Sequence, residues 1–370
     1  MSTPQASETL PAFFVRNNLT REDLAKCLRF AAHQWPGHVE IRPAASQGGC
    51  SFTVLLGSDR QRDAKAGEQQ DVVVLQFRLL RHAISLHLAE DARCVYRSLA
   101  PKTYGVDELA LRDDVARVQV CAMSCVPGRQ YGELQPRIVC LDEHTVRRYE
   151  VLLTSLADFF ARSWRAGFKG AEGELRCSEG KVGSTIATRL EKLECELPSR
   201  SLRDRALHAR LAVEQGLLDV VPVVLTHGDL LPSNIMVDEE TWAVNGYVDW
   251  AEAEWLPFGV GIYGLEHLLS YVDGDAGRPL VVFYEQADQL RKHFWAVLER
   301  LVPDVSETTV REAVLVARDV GVLLWHGFAW DDGRIDRVVN AVDDGEDLAY
   351  LHAFIDVPNV ASRRDSRLAV

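Results

Sequence analysis

"THGDLLPSNIMVD" occupies residues 226–238. It places His227, Asp229 and Asn234 between two apolar segments, "VPVVLT" (221–226) and "NIMVD" (234–238). A polar turn, "EETWAV" (239–244), leads into a third apolar run, "NGYVDW" (245–250), which carries Asp249 near its end. If "NIMVD" and "NGYVDW" pair antiparallel, Asp229, Asn234 and Asp249 converge. Two oxygen ligands, Asn234 and Asp249, suit a hard cation such as Mg²⁺, which keeps waters and takes phosphate oxygens. Asp229 beside them orients a hydroxyl or amine and accepts its proton. Phosphoryl transfer needs this division of labour, because positioning and charge neutralisation supply most of its catalysis.

These residues fit a known pattern. "HGDLLPSN" matches the catalytic-loop template H-x-D-x-x-x-x-N, and Asp249 in "YVDW" matches its metal-binding Asp. The chain resembles the aminoglycoside-phosphotransferase and choline-kinase-like relatives of protein kinases. The wording "HGDLLPSNIMVD…VDWAEAEW" is similar to fungal members. The resemblance implies an α+β, bilobal protein-kinase-like fold over roughly residues 40–350. A small β-rich N-lobe (1–122) covers the nucleotide and carries an N-terminal helical extension. A larger, mainly helical C-lobe (123–370) carries the catalytic and metal-binding loops. It also implies ATP and Mg²⁺ as cofactors, Asp229 as base, Asn234 and Asp249 as metal ligands, and His227 as a brace for the loop.

Upstream, "SQGGCSFTVLL" (46–56) is similar to the family's Gly-rich turn over the phosphates, with Gly48, Gly49 and Ser51 near the anion. Glycines there let backbone N–H groups approach closely. "VVVLQFRL" (72–79) takes the place of the third strand, Glu90 that of the lysine-pairing acid, and Met123 and Ser124 that of the hinge where adenine docks. Three departures stand out. Gln76 occupies the position of the phosphate-gripping Lys. Arg78, on the same strand face by the period of two, reaches phosphate or pairs with Glu90. Leu231 replaces the Lys that protein kinases place two residues after the catalytic Asp, and "LPFGVGIYGLEHLL" lacks the usual Asp after its Pro, with Glu266 the nearest acid. Two readings follow: a small-molecule kinase, favoured by the Asp229/Asn234/Asp249 set, or a kinase-fold protein without phosphotransfer activity, favoured by Gln76.

Composition narrows the partners. The 370 residues carry 54 acids against 41 bases, a formal charge of −13. That balance argues against a general nucleic-acid surface, which needs clustered Lys and Arg. No window approaches the ~18 apolar residues of a membrane span, and "MSTPQASETLPAFFVRNN" lacks the layout of a signal peptide. The expectation is a cytoplasmic protein, monomer or homodimer, acting on a small molecule. Eight scattered cysteines without a CxxC pair read as reduced, mostly buried thiols.

Glu252, Glu254 and Glu266 follow Asp249, interleaved with Trp250, Trp255 and Tyr263. Acids among aromatics suit a cationic substrate through ion pairing and cation–π attraction. The acids are equally suited to binding backbone and Arg groups within the lobe. "DDGED" (343–347) reads as a solvated turn, and Trp325 and Trp330 as packing residues or else pocket walls.

Overall fold

Apolar residues alternate along "SFTVLLG" and "VVLQFRL", and both segments are strands. The computed structural model describes residues 10–34, 38–45, 47, 49–58, 72–112, 116–274 and 278–357. Gly48 and most of the polar loop expected at 58–70 lie outside the described residues. The chain divides into two compact units, Met1–Arg93 with Ala100–Val126, and Cys94–Leu99 with Pro127–Val370.

The first unit runs α1 (Ala12–Arg16), α2 (Arg21–Gln34), β1 (His38–Pro43), β2 (Ser51–Ser58), β3 (Val73–Leu79), most of α3 (Leu86–Tyr96), β4 (Thr103–Leu111) and β5 (Ala116–Ser124). The strands form one antiparallel sheet in the order β1-β2-β3-β5-β4. Phe52, Val54 and Leu56 of β2 join Leu75, Phe77 and Leu79 of β3 in one buried face, the period-two pattern of a half-buried sheet. Phe13 and Phe14 of α1 and Cys27 of α2 share that core, with Phe14 edge-on to Phe52 at 5.0 Å. Each fully buried Phe contributes about 1.5–3 kcal/mol. Residues 20–34 read as a helix with Thr20 as its N-cap, and that cap is present and reciprocal. Asp23 N–H donates to Thr20 Oγ1 at 3.3 Å, and Asp23 Oδ2 accepts from Thr20 N–H and Oγ1–H, both at 2.8 Å. β1 and β4 had no clear sequence signal. β4 is an edge strand whose Asp107 and Glu108 are exposed, which hides its alternation and also blunts the edge.

The second unit opens with β6 (Arg129–Gln130), α4 (Tyr131–Leu134), α5 (Glu143–Arg165), α6 (Ala171–Ser178), α7 (Ile186–Glu196) and α8 (Arg200–Glu214). Residues 184–218 read as continuous helix, but α7 stops before Pro198, where Leu197 turns extended (φ −57°, ψ 140°). Proline forbids helical geometry to its predecessor. The unit continues with β7 (Val223–Thr226), β8 (Ile235–Val237), β9 (Val244–Tyr247), β10 (Glu254–Pro257), α9 (Gly264–Leu268), β11 (Ser270–Asp273), β12 (Leu280–Phe283), α10 (Ala287–Leu301), α11 (Thr308–His326) and α12 (Gly345–Ile355). β7 pairs with β10, Thr226 opposite Glu254, and β8 with β9, Ile235 opposite Tyr247. The expected antiparallel pairing of "NIMVD" with "NGYVDW" is therefore present. Buried side chains of α7, α8, α11 and α12 make one core behind these ribbons.

The cysteines depart from expectation. All eight are free, but only Cys27 and Cys121 are buried, while Cys94, Cys125, Cys140 and Cys195 are exposed. Among the described residues, no helix is long and apolar enough to cross a membrane.

Candidate functional site

The loop between β7 and β8 is held from three sides. His227 is 1% exposed, its Nε2–H donating to Val248 O at 2.9 Å while its Nδ1 accepts Asp229 N–H at 3.2 Å. These two bonds fix a neutral tautomer. Burial lowers its pKa to about 4, against the upward pull of Asp249. Trp250 covers the ring, centroids 4.5 Å apart. A side chain with both nitrogens engaged in backbone bonds braces the loop. Gly228 has φ +77°, and a Cβ there would lie 1.8 Å from Glu252 O. Tyr263 Oη accepts Leu230 N–H at 3.2 Å and donates to Gly228 O at 3.3 Å, so it ties down both neighbours of Asp229.

Asp229 is half-buried. Asn234, 8% exposed, donates its amide to the Asp229 carboxylate at 2.8 Å and to Asp229 O at 2.9 Å. Asn234 reaches this position from the short turn Pro232–Asn234, where Pro232 starts the turn with its φ already set. Val248 N–H donates to Asn234 O at 2.9 Å, which brings the backbone before Asp249 against Asn234. Asp249 takes left-handed geometry (φ 62°, ψ 66°), which Asp tolerates better than most residues. With its nitrogen committed to Asp229, Asn234 keeps Oδ1 as an acceptor. The donor set of Asn234 and Asp249 is therefore hard oxygen, which fits Mg²⁺ and not a soft metal. Among the described residues, no group of three or more His, Cys, Asp and Glu is arranged for a metal.

The residues expected around the nucleotide in the first unit fare unevenly. Gly49 lies in the bend before β2 and is exposed, with Arg16 close enough that a Cβ would meet its guanidinium. Ser51 is 4% exposed and pairs with Arg78. Gln76 and Arg78 do share a face, since Arg78 Nη1 donates to Gln76 Oε1 at 3.3 Å. But Arg78 is 2% exposed and its Nε is turned to His82 O at 2.8 Å. Glu90 stands exposed on α3. Met123 and Ser124 lie inside the sheet rather than beyond it. Met123 pairs with Val74 and Thr103, and Ser124 exchanges hydrogen bonds with Lys102. Their polar backbone is engaged, and the chain leaves the sheet at Cys125. Sequence gave no sign of Gln47, whose side chain pairs with both the N–H and the C=O of Thr53 and so closes the turn before β2.

The acids after Asp249 separate. Glu266 is 1% exposed and clamped by Arg291 at 2.8 and 3.1 Å and by Arg318 at 3.6 Å, which corrects its reading as a substrate ligand. The Glu254 carboxylate accepts the N–H groups of Val182 and Gly183 at 2.7–3.1 Å, and burial raises its pKa. Glu252 and Glu254 border a cavity of about 110 Å³ that also holds Lys181, Arg189 and Arg334, so cations outnumber acids there.

A larger cavity, about 420 Å³, opens beside Leu231, Pro232 and Ser233 of the catalytic-type loop. Its walls include Glu346 and Asp347, which the sequence reading assigned to a solvated turn, together with Arg137 and the rings of Tyr271, Trp325 and Tyr350. Trp325 is thus a cavity wall, stacked on Tyr263 at 5.1 Å, whereas Trp330 is 38% exposed. His326 Nδ1 faces Asp347 at 3.4 Å and its Nε2 meets His267 Nε2 at 3.2 Å. Burial holds both rings neutral, His326 down at about 3, and pushes Asp347 up to about 6. A run of acids on a polar turn gives no local sign that a helix start sets two of them beside a cavity.

Residues 47–262 match APH, the phosphotransferase enzyme family. No match is found among curated proteins. Among solved structures, the Plasmodium vivax ethanolamine kinase superposes with a TM-score of 0.51 at 11% identity, over 92% of this chain and 85% of its own. Macrolide 2'-phosphotransferase type I gives 0.50 at 16% identity, over 92% and 99%. These likenesses establish a shared protein-kinase-like fold. The family match spans more than half of the sequence, and the chain belongs to the phosphotransferase enzyme family.

Proposed function

We propose that the protein transfers the γ-phosphoryl group of ATP to a hydroxyl of a small, amine-bearing molecule. The carrying observation is the Asn234 amide on the Asp229 carboxylate, 2.8 Å, inside a loop braced by His227 and Tyr263. Held in this way, the carboxylate is positioned to orient an acceptor hydroxyl and take its proton as the oxygen attacks phosphorus. Mg²⁺ on Asn234 Oδ1 and Asp249 would neutralise phosphate charge. The acceptor occupies the 420 Å³ cavity, a size typical of small-molecule sites. Glu346 and Asp347 meet its ammonium group, and Tyr271, Trp325 and Tyr350 supply aromatic faces.

The test is ADP release with ATP, Mg²⁺ and a panel of amino alcohols, each paired with its N-acetylated form. Release with the amines, lost in Asp229→Asn, supports the reading. Equal release with the acetylated set removes the cationic acceptor. A second reading, a ligand-binding protein without transfer, is favoured by Gln76, whose amide answers Arg78 where a phosphate-gripping Lys is expected. It stands if ATP binds and no acceptor yields ADP.

A further inference from the structure

We propose that the 110 Å³ cavity is a separate binding site for a small organic anion with an apolar body. Lys181, Arg189 and Arg334 line it. Of its two acids, Glu254 is already engaged by the backbone N–H groups of Val182 and Gly183. Three cations therefore face two carboxylates, Glu252 and the backbone-held Glu254, which leaves an excess of positive charge. Lys181 and Arg334 are exposed at the mouth, while Arg189 is half-buried. Between the cations, Leu256, Val260, Leu324 and Ile335 form an apolar wall. A cavity of this order accepts a ring or a branched chain of five or six carbons, given that a 150 Å³ apolar cavity binds benzene.

The rim carries strain. Asp331, Asp332 and Ile335 take φ of 38°, 60° and 49°, with Gly333 between them at 86°. A β-branched residue in that region is an outlier. Such geometry persists only where the surroundings over-determine it, and it gathers at ligand clamps. Here the surroundings are visible. Arg189 donates to Ile335 O at 2.7 Å from the cavity side, and Arg337 grips Asp331 and Asp344 from the other.

The site also touches the catalytic-type loop. Gly228 and Tyr263 both line it, and the Tyr263 hydroxyl holds Leu230 N–H and Gly228 O, the neighbours of Asp229. An occupant pressing on the Tyr263 ring acts on the position of Asp229 through one side chain. This site does not depend on the identity of the acceptor, because it rests on a different cavity of opposite charge balance.

The experiment uses isovalerate as probe and isovaleramide as its uncharged isostere, on the full chain, by titration calorimetry. Isovalerate should bind saturably, with the amide at least tenfold weaker. The double variant Lys181→Gln, Arg334→Gln changes two exposed side chains and should weaken isovalerate at least tenfold while melting at the wild-type temperature. Hydrogen exchange at residues 228–230 should slow with isovalerate in the wild type only. Equal binding of acid and amide, no saturable binding, or an unaffected double variant overturns the site. Binding without any change in exchange at 228–230 overturns its link to the loop.

Discussion

Asn234 donates its side-chain amide to the Asp229 carboxylate at 2.8 Å, and the same nitrogen reaches Asp229 O at 2.9 Å. One amide therefore sets both the rotamer of the acid and the backbone that carries it. Asp229→Asn keeps the shape and removes the base, so turnover should fall by about 10²–10⁴-fold with little change in melting temperature. Asn234→Ala should lower turnover as well, but also loosen the loop and raise the Mg²⁺ concentration needed for half-maximal rate. A metal titration of both variants on one acceptor distinguishes them. If Asn234→Ala keeps the wild-type metal requirement, Asn234 is not a ligand.

Gln76→Lys looks, from sequence, like the repair of a missing phosphate contact. The structure predicts the reverse. Gln76 Oε1 accepts from buried Arg78 at 3.3 Å, and lysine would replace that acceptor with a second cation. Losing the acceptor and adding like charge should cost about 1–3 kcal/mol. Denaturant unfolding measures it, and an unchanged or raised midpoint would show that the side chain escapes toward solvent or phosphate.

Gly228→Ala should be among the most damaging single-atom additions in the chain. The residue sits at φ +77° and the new Cβ would lie 1.8 Å from Glu252 O, a backbone atom that cannot swing away. Strain of about 1–3 kcal/mol is expected from the dihedral alone, with the clash adding to it. Both a lower melting temperature and lost turnover should follow. A variant that melts normally but is inactive would mean that the loop relaxes without unfolding.

What could be read beforehand was local. The loop 226–238, the pairing of the two strands after it, and the bracing role of His227 all follow from residues within about 25 positions, where spacing and hydrogen-bonding capacity suffice. The acceptor cavity did not follow. Its walls come from Leu231, Tyr271, Trp325 and Asp347, spread over more than 100 positions, and the packing of α11 against α12 helps to bring them together. The misplacement of Glu266 has the same cause. Its proximity to Asp249 in sequence said nothing of Arg291 and Arg318, which arrive from α10 and α11. Met123 and Ser124 close β5, and the rest of the expected hinge, 125–128, follows directly after them.

Acid should unfold the protein earlier than its carboxylates alone dictate. His227 and His326 are held at about 4 and about 3, and His267 well below 6.5, all by burial. A histidine depressed in the folded state contributes stability above its unfolded pKa and loses it as pH falls toward the folded one. Asp347, raised to about 6, acts in the opposite sense, since its folded form takes up a proton first. Glu254, also raised by burial, acts in the same sense as Asp347. Near pH 5 three protons are gained on unfolding against one to two lost, a net of one to two, so stability should fall by roughly 1.4–3 kcal/mol per pH unit. Urea midpoints from pH 7 to 4.5 test the slope. His326→Phe should flatten it by about one proton, and a slope that stays near zero would mean that these rings are charged in the fold.

Glu266 and Asp347 are both acids of the helical unit, yet they should respond to substitution in opposite ways. Glu266 lies 1% exposed between Arg291 and Arg318. Glu266→Gln leaves two buried guanidiniums short of a counter-charge. Breaking a buried pair costs about 3–5 kcal/mol, and the remaining partners Asp288 and Asp319 place this case toward the lower end. Acceptor preference should be unchanged, because no substrate reaches Glu266. Asp347 borders the 420 Å³ cavity with its side chain 41% exposed. Asp347→Asn removes a charge that burial already disfavours, so the fold should hold or tighten slightly at pH 7. The KM for an amine acceptor should rise roughly 10–100-fold, as expected for a lost charged hydrogen bond worth about 1.5–3 kcal/mol. In the wild type the same KM should rise as pH falls through about 6, where Asp347 takes up its proton. Unfolding curves and KM measured on both variants form a crossed test. If Glu266→Gln shifts acceptor preference while Asp347→Asn does not, the acceptor lies elsewhere than in this cavity.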